Sequence, residues 1–185
     1  MKRFIVSDTH FDHANIIKYC ARPFDSIAEM NNALIENWNN VVGKDDLVYH
    51  LGDFAFTEQK KIFWFRRELN GIIHLILGNH DKFYPYDVWV DAGFDRVSET
   101  PTIIDGHFIL SHEPIFLTAI DPLHITTMAV KGPGIESSNG LTFHNFYGHL
   151  HDKSFNTPHY TNVCVECTNY TPLNFDEIIN RLQKF

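Results

Sequence analysis

Five times along this chain a short apolar run stops at a residue able to bind a metal ion. RFIVS (3–7) stops at Asp8, and 46–51 runs into Gly52-Asp53. Residues 72–77 run into Gly78-Asn79-His80-Asp81, HFILS (107–111) stops at His112, and 143–147 runs into Gly148-His149. Short apolar runs bounded by turn residues read as buried strands. In open α/β sheets, binding residues collect beyond the carboxyl ends of the strands. Five such ends offer oxygen and nitrogen donors to one common edge, and few folds allow that.

The segments between these runs supply the other layer. Ile27, Met30, Leu34, Trp38 and Val41 recur at spacings of three and four, which predicts a helix over 26–42. Ser26, with Glu29 three residues later, is its capping signal. Residues 57–69 also read as helical, opened by Thr57, and 174–185 close the chain as a helix capped by Asn174 and Glu177. From 94 to 112 the runs are short and β-like, with a hairpin signal at Asp105-Gly106. Residues 113–142 read as irregular, with Pro114, Pro122 and Gly132-Pro133-Gly134, and are a candidate lid over the site. Strand–helix–strand–helix–strand followed mostly by strands predicts an α/β sandwich in a single domain over 1–185.

Composition narrows the function classes. A formal charge of −8 without a basic run argues against a broad nucleic-acid surface. No window approaches a membrane span, and the N-terminus turns polar too soon for a secretory signal, so a cytoplasmic location is the default expectation. Three cysteines do not make a disulfide framework, and the lone Cys164-x-x-Cys167 is expected to pack rather than bind zinc. The unusual quantity is histidine, with 12 copies.

The donor types suggest the chemistry. In Asp8-x-His10, on extended backbone, alternate side chains point to one side, so both residues can reach one ion; the same geometry brings His149 and His151 together. Asp53 has two oxygens and can bridge two cations, and Asn79 offers a neutral carbonyl. Mixed imidazole, carboxylate and amide donors suit Mn, Fe, Zn, Ni or Co better than Ca or Mg.

In order and in type, Asp8-Thr9-His10, Gly52-Asp53, Gly78-Asn79-His80-Asp81, Ser111-His112-Glu113 and Gly148-His149-Leu150-His151 resemble the calcineurin-like metallophosphoesterase family over residues 5–151. The resemblance implies a layered α/β/β/α sandwich of mixed sheets. It assigns Asp8, His10 and His151 to one divalent metal and Asn79, His112 and His149 to a second, with Asp53 bridging and manganese favoured. It implies phosphoester hydrolysis by a bridging hydroxide, with a phosphodiester favoured over a monoester. The implied substrate is small and phosphorylated, a nucleotide among the candidates. His80 is implied as acid or transition-state stabiliser, and Asp81 is expected to orient its imidazole. The rival class is a catalytically silent metal-bound scaffold of the same fold. That reading expects missing ligands, and none of the seven is missing.

Other residues have blander readings. His13 is placed equally well facing substrate, behind the ligands or at the surface. His50 and His74 read as packed, hydrogen-bonded core histidines. Arg22 is a candidate phosphate clamp, although a surface salt bridge is the simpler expectation.

Overall fold

The computed structural model describes residues 1–115, 143–155 and 157–182. β1 (Arg3–Val6), β2 (Leu47–His50), β3 (Ile72–Ile76) and β4 (Arg96–Ser98) run parallel, and the short β9 (Leu173–Asn174) adds antiparallel to β1. Their order is β4-β3-β2-β1-β9. A second mixed sheet has the order β5-β6-β7-β8: β5 (Thr102–Ile104), β6 (Phe108–Ser111), β7 (His144–Tyr147) and β8 (Tyr160–Asn162). β5 is antiparallel to β6; the other two pairings are parallel.

Strand alternation divides the core in two. Phe4, Val6, Val48, Ile73 and Leu75 face a helical layer, while Ile5, Leu51 and Ile76 face the second sheet. A central strand buried on both faces needs apolar residues at consecutive positions, which is why Phe4, Ile5 and Val6 form an unbroken run. The helices α1 (Ala14–Tyr19), α2 (Ile27–Val41), α3 (Gln59–Glu68) and α4 (Tyr86–Asp91) cover the first sheet. α2 begins as its sequence dictates: Ser26 Oγ accepts from the Glu29 amide at 3.1 Å, and Met30, Leu34 and Trp38 face inward. Between the sheets, Phe108, Leu110 and Phe146 meet Phe175 and Ile179 of α5 (Phe175–Leu182). Phe146 is fully buried, with its ring centroid 5.0 Å from that of Phe175. Burying such a ring stabilises the fold by about 1.5–3 kcal/mol.

The Asp105-Gly106 hairpin forms as expected, with positive φ at both residues (50° and 80°). So does the Asn174–Glu177 pair at the start of α5. The six-residue helices α1 and α4 were not legible in the sequence, because each buries only one or two residues and shows no helical period. The expected layered α/β sandwich of two mixed sheets is what forms. The lid expected over 113–142 lies almost wholly outside the described residues. No helix among the described residues is long and apolar enough to cross a membrane.

The motif-bearing strands β1, β2 and β3 are mutually parallel, as are β6 and β7, and Asn79 meets His112 while the His149 amide meets Asp8 across the two sheets. The carboxyl ends of β1, β2, β3, β6 and β7 therefore open on one side of the molecule.

Candidate metal centre

The backbone departs from the extended geometry read from the sequence. Asp8, His10, Asp53, His149 and His151 all have positive φ, at 59°, 49°, 52°, 66° and 51°. Asp8 and His10 thus converge through a tight left-handed path and not through strand alternation, and the same holds for His149 and His151. Each such residue costs of order 1–3 kcal/mol and persists only where its surroundings over-determine it. Here the constraint is a ladder of amides: Asp8 N donates to Gly52 O, His10 N to Asp53 O and Phe11 N to Phe54 O, all at 2.9–3.0 Å.

Two glycines answer to the same crowding. A Cβ on Gly78 would strike the Asp53 carboxylate, and one on Gly148 would strike Ser7 Oγ and the Asp8 carboxylate. The Gly that precedes Asn79 and the Gly that precedes His149 leave room for the two acids.

Each acid divides its oxygens between structure and site. Asp53 Oδ1 accepts the His80 amide at 2.9 Å. Its Oδ2 faces His10 Nε2 at 3.5 Å and His112 Nε2 at 3.6 Å. Asp8 Oδ2 accepts the His149 amide at 2.8 Å and the Cys164 thiol at 3.3 Å. Asp8 Oδ1 is buried without a partner, as is His10 Nε2, and the two lie 3.7 Å apart. His151 Nε2 is 4.0 Å from the same Oδ1. Donors about 2.1 Å from one ion lie roughly 3.0–3.4 Å from one another. Asp8, His10 and His151 therefore stand close to the spacing of a shared cation.

The second set is closer still. Asn79 Oδ1 lies 2.9 Å from His112 Nε2 and 3.1 Å from His149 Nδ1. His112 Nδ1 is matched to the Leu51 carbonyl at 2.8 Å, so it carries the proton. The Nε2 lone pair then faces the lone pairs of Asn79, and a cation between them satisfies both. Orphaned buried donors in one set and opposed lone pairs in the other fit two divalent ions. Asp53 Oδ2 lies between the two sets.

Electrostatics agree. Burial, reinforced by Asp8 and Asp81, pushes the Asp53 carboxyl up to about 9. Burial lowers His10 to about 4, against the opposing pull of Asp8, so its ring is neutral and ready to ligate. Burial also works on His151, but Glu166 and Asp8 raise it overall.

His80 stands at the rim, its side chain 30 % exposed and its Nε2 3.9 Å from Asp53 Oδ2. Burial lowers its pKa. The expected pairing of Asp81 with the His80 imidazole is replaced by another role. The Asp81 carboxylate, fully buried, accepts the amides of Asp53 (2.7 Å), Phe54 (2.9 Å) and Gly78 (2.9 Å). It knits the loop after β2 to the loop after β3, and so acts on Asp53 and Asn79 rather than on His80.

Arg22 is neither a phosphate clamp nor a surface cation. It is buried against Glu166, and Glu166 Oε1 holds His151 Nδ1 at 3.0 Å. Glu166 escapes the sequence pattern. Its one signal is an acid inside the apolar stretch VCVEC. His13 reaches His10, with Nδ1 atoms 3.3 Å apart. His50 is the expected core histidine: it accepts the Gly52 amide on Nδ1 and meets Thr9 Oγ1 through Nε2 at 3.0 Å. Cys164 is buried as expected, and its thiol also touches Asp8. Cys20, His151 and Glu166 bring three donor atoms within 4.8 Å of one another. They share His151 with the first set, and their carboxylate is already committed to Arg22.

Comparison with known proteins shows the family of the chain. The profile of the calcineurin-like phosphoesterase family matches residues 1–175. An uncharacterized protein of Methanocaldococcus jannaschii is 38% identical over 188 residues, covering 99% of this chain and 92% of that one. The gene 66 protein of Mycobacterium phage L5 is 34% identical over 86 residues, 44% of this chain and 41% of that protein. The crystal structure of a protein of unknown function from Aquifex aeolicus superposes with a TM-score of 0.68 at 24% identity, covering 97% of this chain and 98% of that one.

Two outcomes follow. Asp81→Asn places an amide NH2 against backbone amides, so divalent-ion affinity should fall by about tenfold or more, measured by calorimetric titration of the chelator-stripped protein. Below pH 9 a cation must displace the Asp53 proton, whereas the His10 ring is already free. Affinity should therefore rise with pH between about 6 and 8, with protons released on loading. A pH-independent affinity would contradict this assignment.

Proposed function

The chain belongs to the calcineurin-like phosphoesterase family, and on that premise we propose that it hydrolyses phosphodiesters, in preference to monoesters, at a pair of divalent cations. The observation that carries this reading is the pair of facing donor sets about Asp53 Oδ2, which lies 3.5 Å from His10 Nε2 and 3.6 Å from His112 Nε2. Asp8, His10 and His151 would hold one ion, Asn79, His112 and His149 the other, with Asp53 shared. Bound there, the ions supply Lewis acidity: they lower the pKa of water and stabilise charge on phosphoryl oxygens. The mixture of imidazole, carboxylate and amide donors suits Mn, Fe, Zn, Ni or Co, and manganese is favoured on the family resemblance.

The protein's own groups do the rest. Asp8 and Asp53 contribute two negative charges against the four positive charges of two divalent ions, so a loaded site attracts phosphate although the chain as a whole is acidic. His80, on the open rim, is placed to give a proton or a hydrogen bond to the departing alkoxide. Its amide is fixed to Asp53 Oδ1, so its ring keeps station beside the shared carboxylate. The preference for diesters rests on charge. A monoester carries an additional negative charge near neutral pH, and Arg22, the residue that could have clamped it, is committed to Glu166 and to backbone carbonyls. The substrate class is a small phosphodiester, with nucleotides among the candidates.

The test is turnover of bis(p-nitrophenyl) phosphate by chelator-stripped protein with Mn2+ restored. Activity should require the metal and exceed that on p-nitrophenyl phosphate. His80→Ala should retain both ions and lose about 10²–10⁴-fold in kcat. No turnover with any divalent metal, in protein shown to hold two ions, would sink the enzymatic reading and favour a silent scaffold.

A further inference from the structure

We propose that the buried Arg22–Glu166 pair is the positioning device of one cation site. It holds Asp8, His10 and His151 in ligating geometry, so that its loss weakens that site selectively and leaves the Asn79–His112–His149 site loaded. The inference rests on the two-cation reading above.

The Arg22 side chain is fully buried and that of Glu166 nearly so. A guanidinium presents its N–H groups in a fixed planar fork, and each arm of this fork has a definite partner. Nη1 donates to the Thr9 carbonyl at 2.9 Å, and Nη2 donates to the Asp8 carbonyl at 2.7 Å. Those two carbonyls lie in the segment where Asp8 and His10 are held at positive φ. Nε and Nη2 also meet Glu166 Oε1, at 2.9 and 2.7 Å. The same oxygen accepts His151 Nδ1 at 3.0 Å, which leaves Nε2 as the ligating lone pair. One cationic side chain thus reaches all three ligands of the first set, two through the backbone and one through a carboxylate.

The connection is long in sequence and short in space. Arg22 follows α1, and Glu166 lies 144 residues further on. The turn that carries Glu166 is tied to the end of β1, where Val165 N donates to Ser7 O at 3.1 Å. The second donor set is braced otherwise. His112 Nδ1 is matched to the Leu51 carbonyl, His149 N donates to Asp8 Oδ2, and Asp53 Oδ1 accepts from His80 N. None of these bonds passes through Arg22 or Glu166.

This asymmetry is what an experiment can read. Breaking a buried ion pair leaves an uncompensated charge, so the truncation is paired with a conservative variant. Wild type, Glu166→Ala and Glu166→Gln are stripped with chelator and checked for native circular dichroism. They are then titrated with Mn2+, following bound ions per chain and the electron paramagnetic resonance spectrum. Wild type should bind two ions with an exchange-coupled spectrum. Glu166→Gln keeps an oxygen for Arg22 and His151. It should still bind two ions, with affinity at one site about tenfold lower. Glu166→Ala should lose about 100-fold at that site and show one uncoupled ion. Two coupled ions at wild-type affinity in Glu166→Ala, or equal weakening of both sites, would overturn the proposal. If Glu166→Ala does not fold, Glu166→Gln decides: a loss confined to one site supports the proposal, and a uniform or absent loss overturns it. A wild-type chain that takes up only one ion contradicts the two-cation reading itself.

Discussion

Three carboxylates, Asp8, Asp53 and Asp81, are buried within one another's fields at the ends of three neighbouring parallel strands. Buried like charges are costly unless they are paired, protonated or bound to metal. Asp81 offsets part of that cost by accepting three backbone amides, although burial still pushes its carboxyl up to about 7. Asp8 and Asp53 each give one oxygen to the backbone and turn the other towards imidazoles. What remains is a pair of pockets lined by carboxylate, amide and imidazole donors, which divalent cations would complete. The rest of the site follows from holding that charge in place. The left-handed backbone aims the ligands, the glycines beside Asn79 and His149 leave room for the acids, and the amide ladder between 8–11 and 52–54 keeps the two loops in register.

The support of the site is unevenly distributed, which matters for function. One donor set is anchored to a full buried ion pair, the other by single hydrogen bonds to the Leu51 carbonyl and the Asp8 carboxylate. An ion in the first set is held by groups whose positions are decided far from the solvent. The second set is the more exposed, with Asn79 at the surface and His149 half-buried, while the His80 ring stands beside His10 of the first set.

Much of this was legible in the sequence, for a physical reason. Strands buried on both faces are largely apolar, so a metal-binding residue just past each apolar run marks a strand end. Asp8, Asp53, Asn79, His112 and His149 announce themselves in this way. The helix at 26–42 declared its period and its cap. What stayed hidden was whatever depends on a distant partner. Asp81 looked like the companion of His80 because it is next in the chain, but its carboxylate is drawn to amides on another loop. Arg22 looked like a surface cation until Glu166, on the far side of the sequence, met it in the core. The positive φ at five ligands was also invisible, since none of them is glycine. Only tertiary bonds hold them there.

Two ions flanking one oxygen of Asp53 would be seen by anomalous diffraction from crystals soaked in Mn2+. The expected result is two anomalous peaks per chain, roughly 3.5–4 Å apart, with Asp53 Oδ2 between them, one peak beside His10 and His151 and the other beside Asn79 and His112. A single peak, or peaks that do not share Asp53, would contradict it.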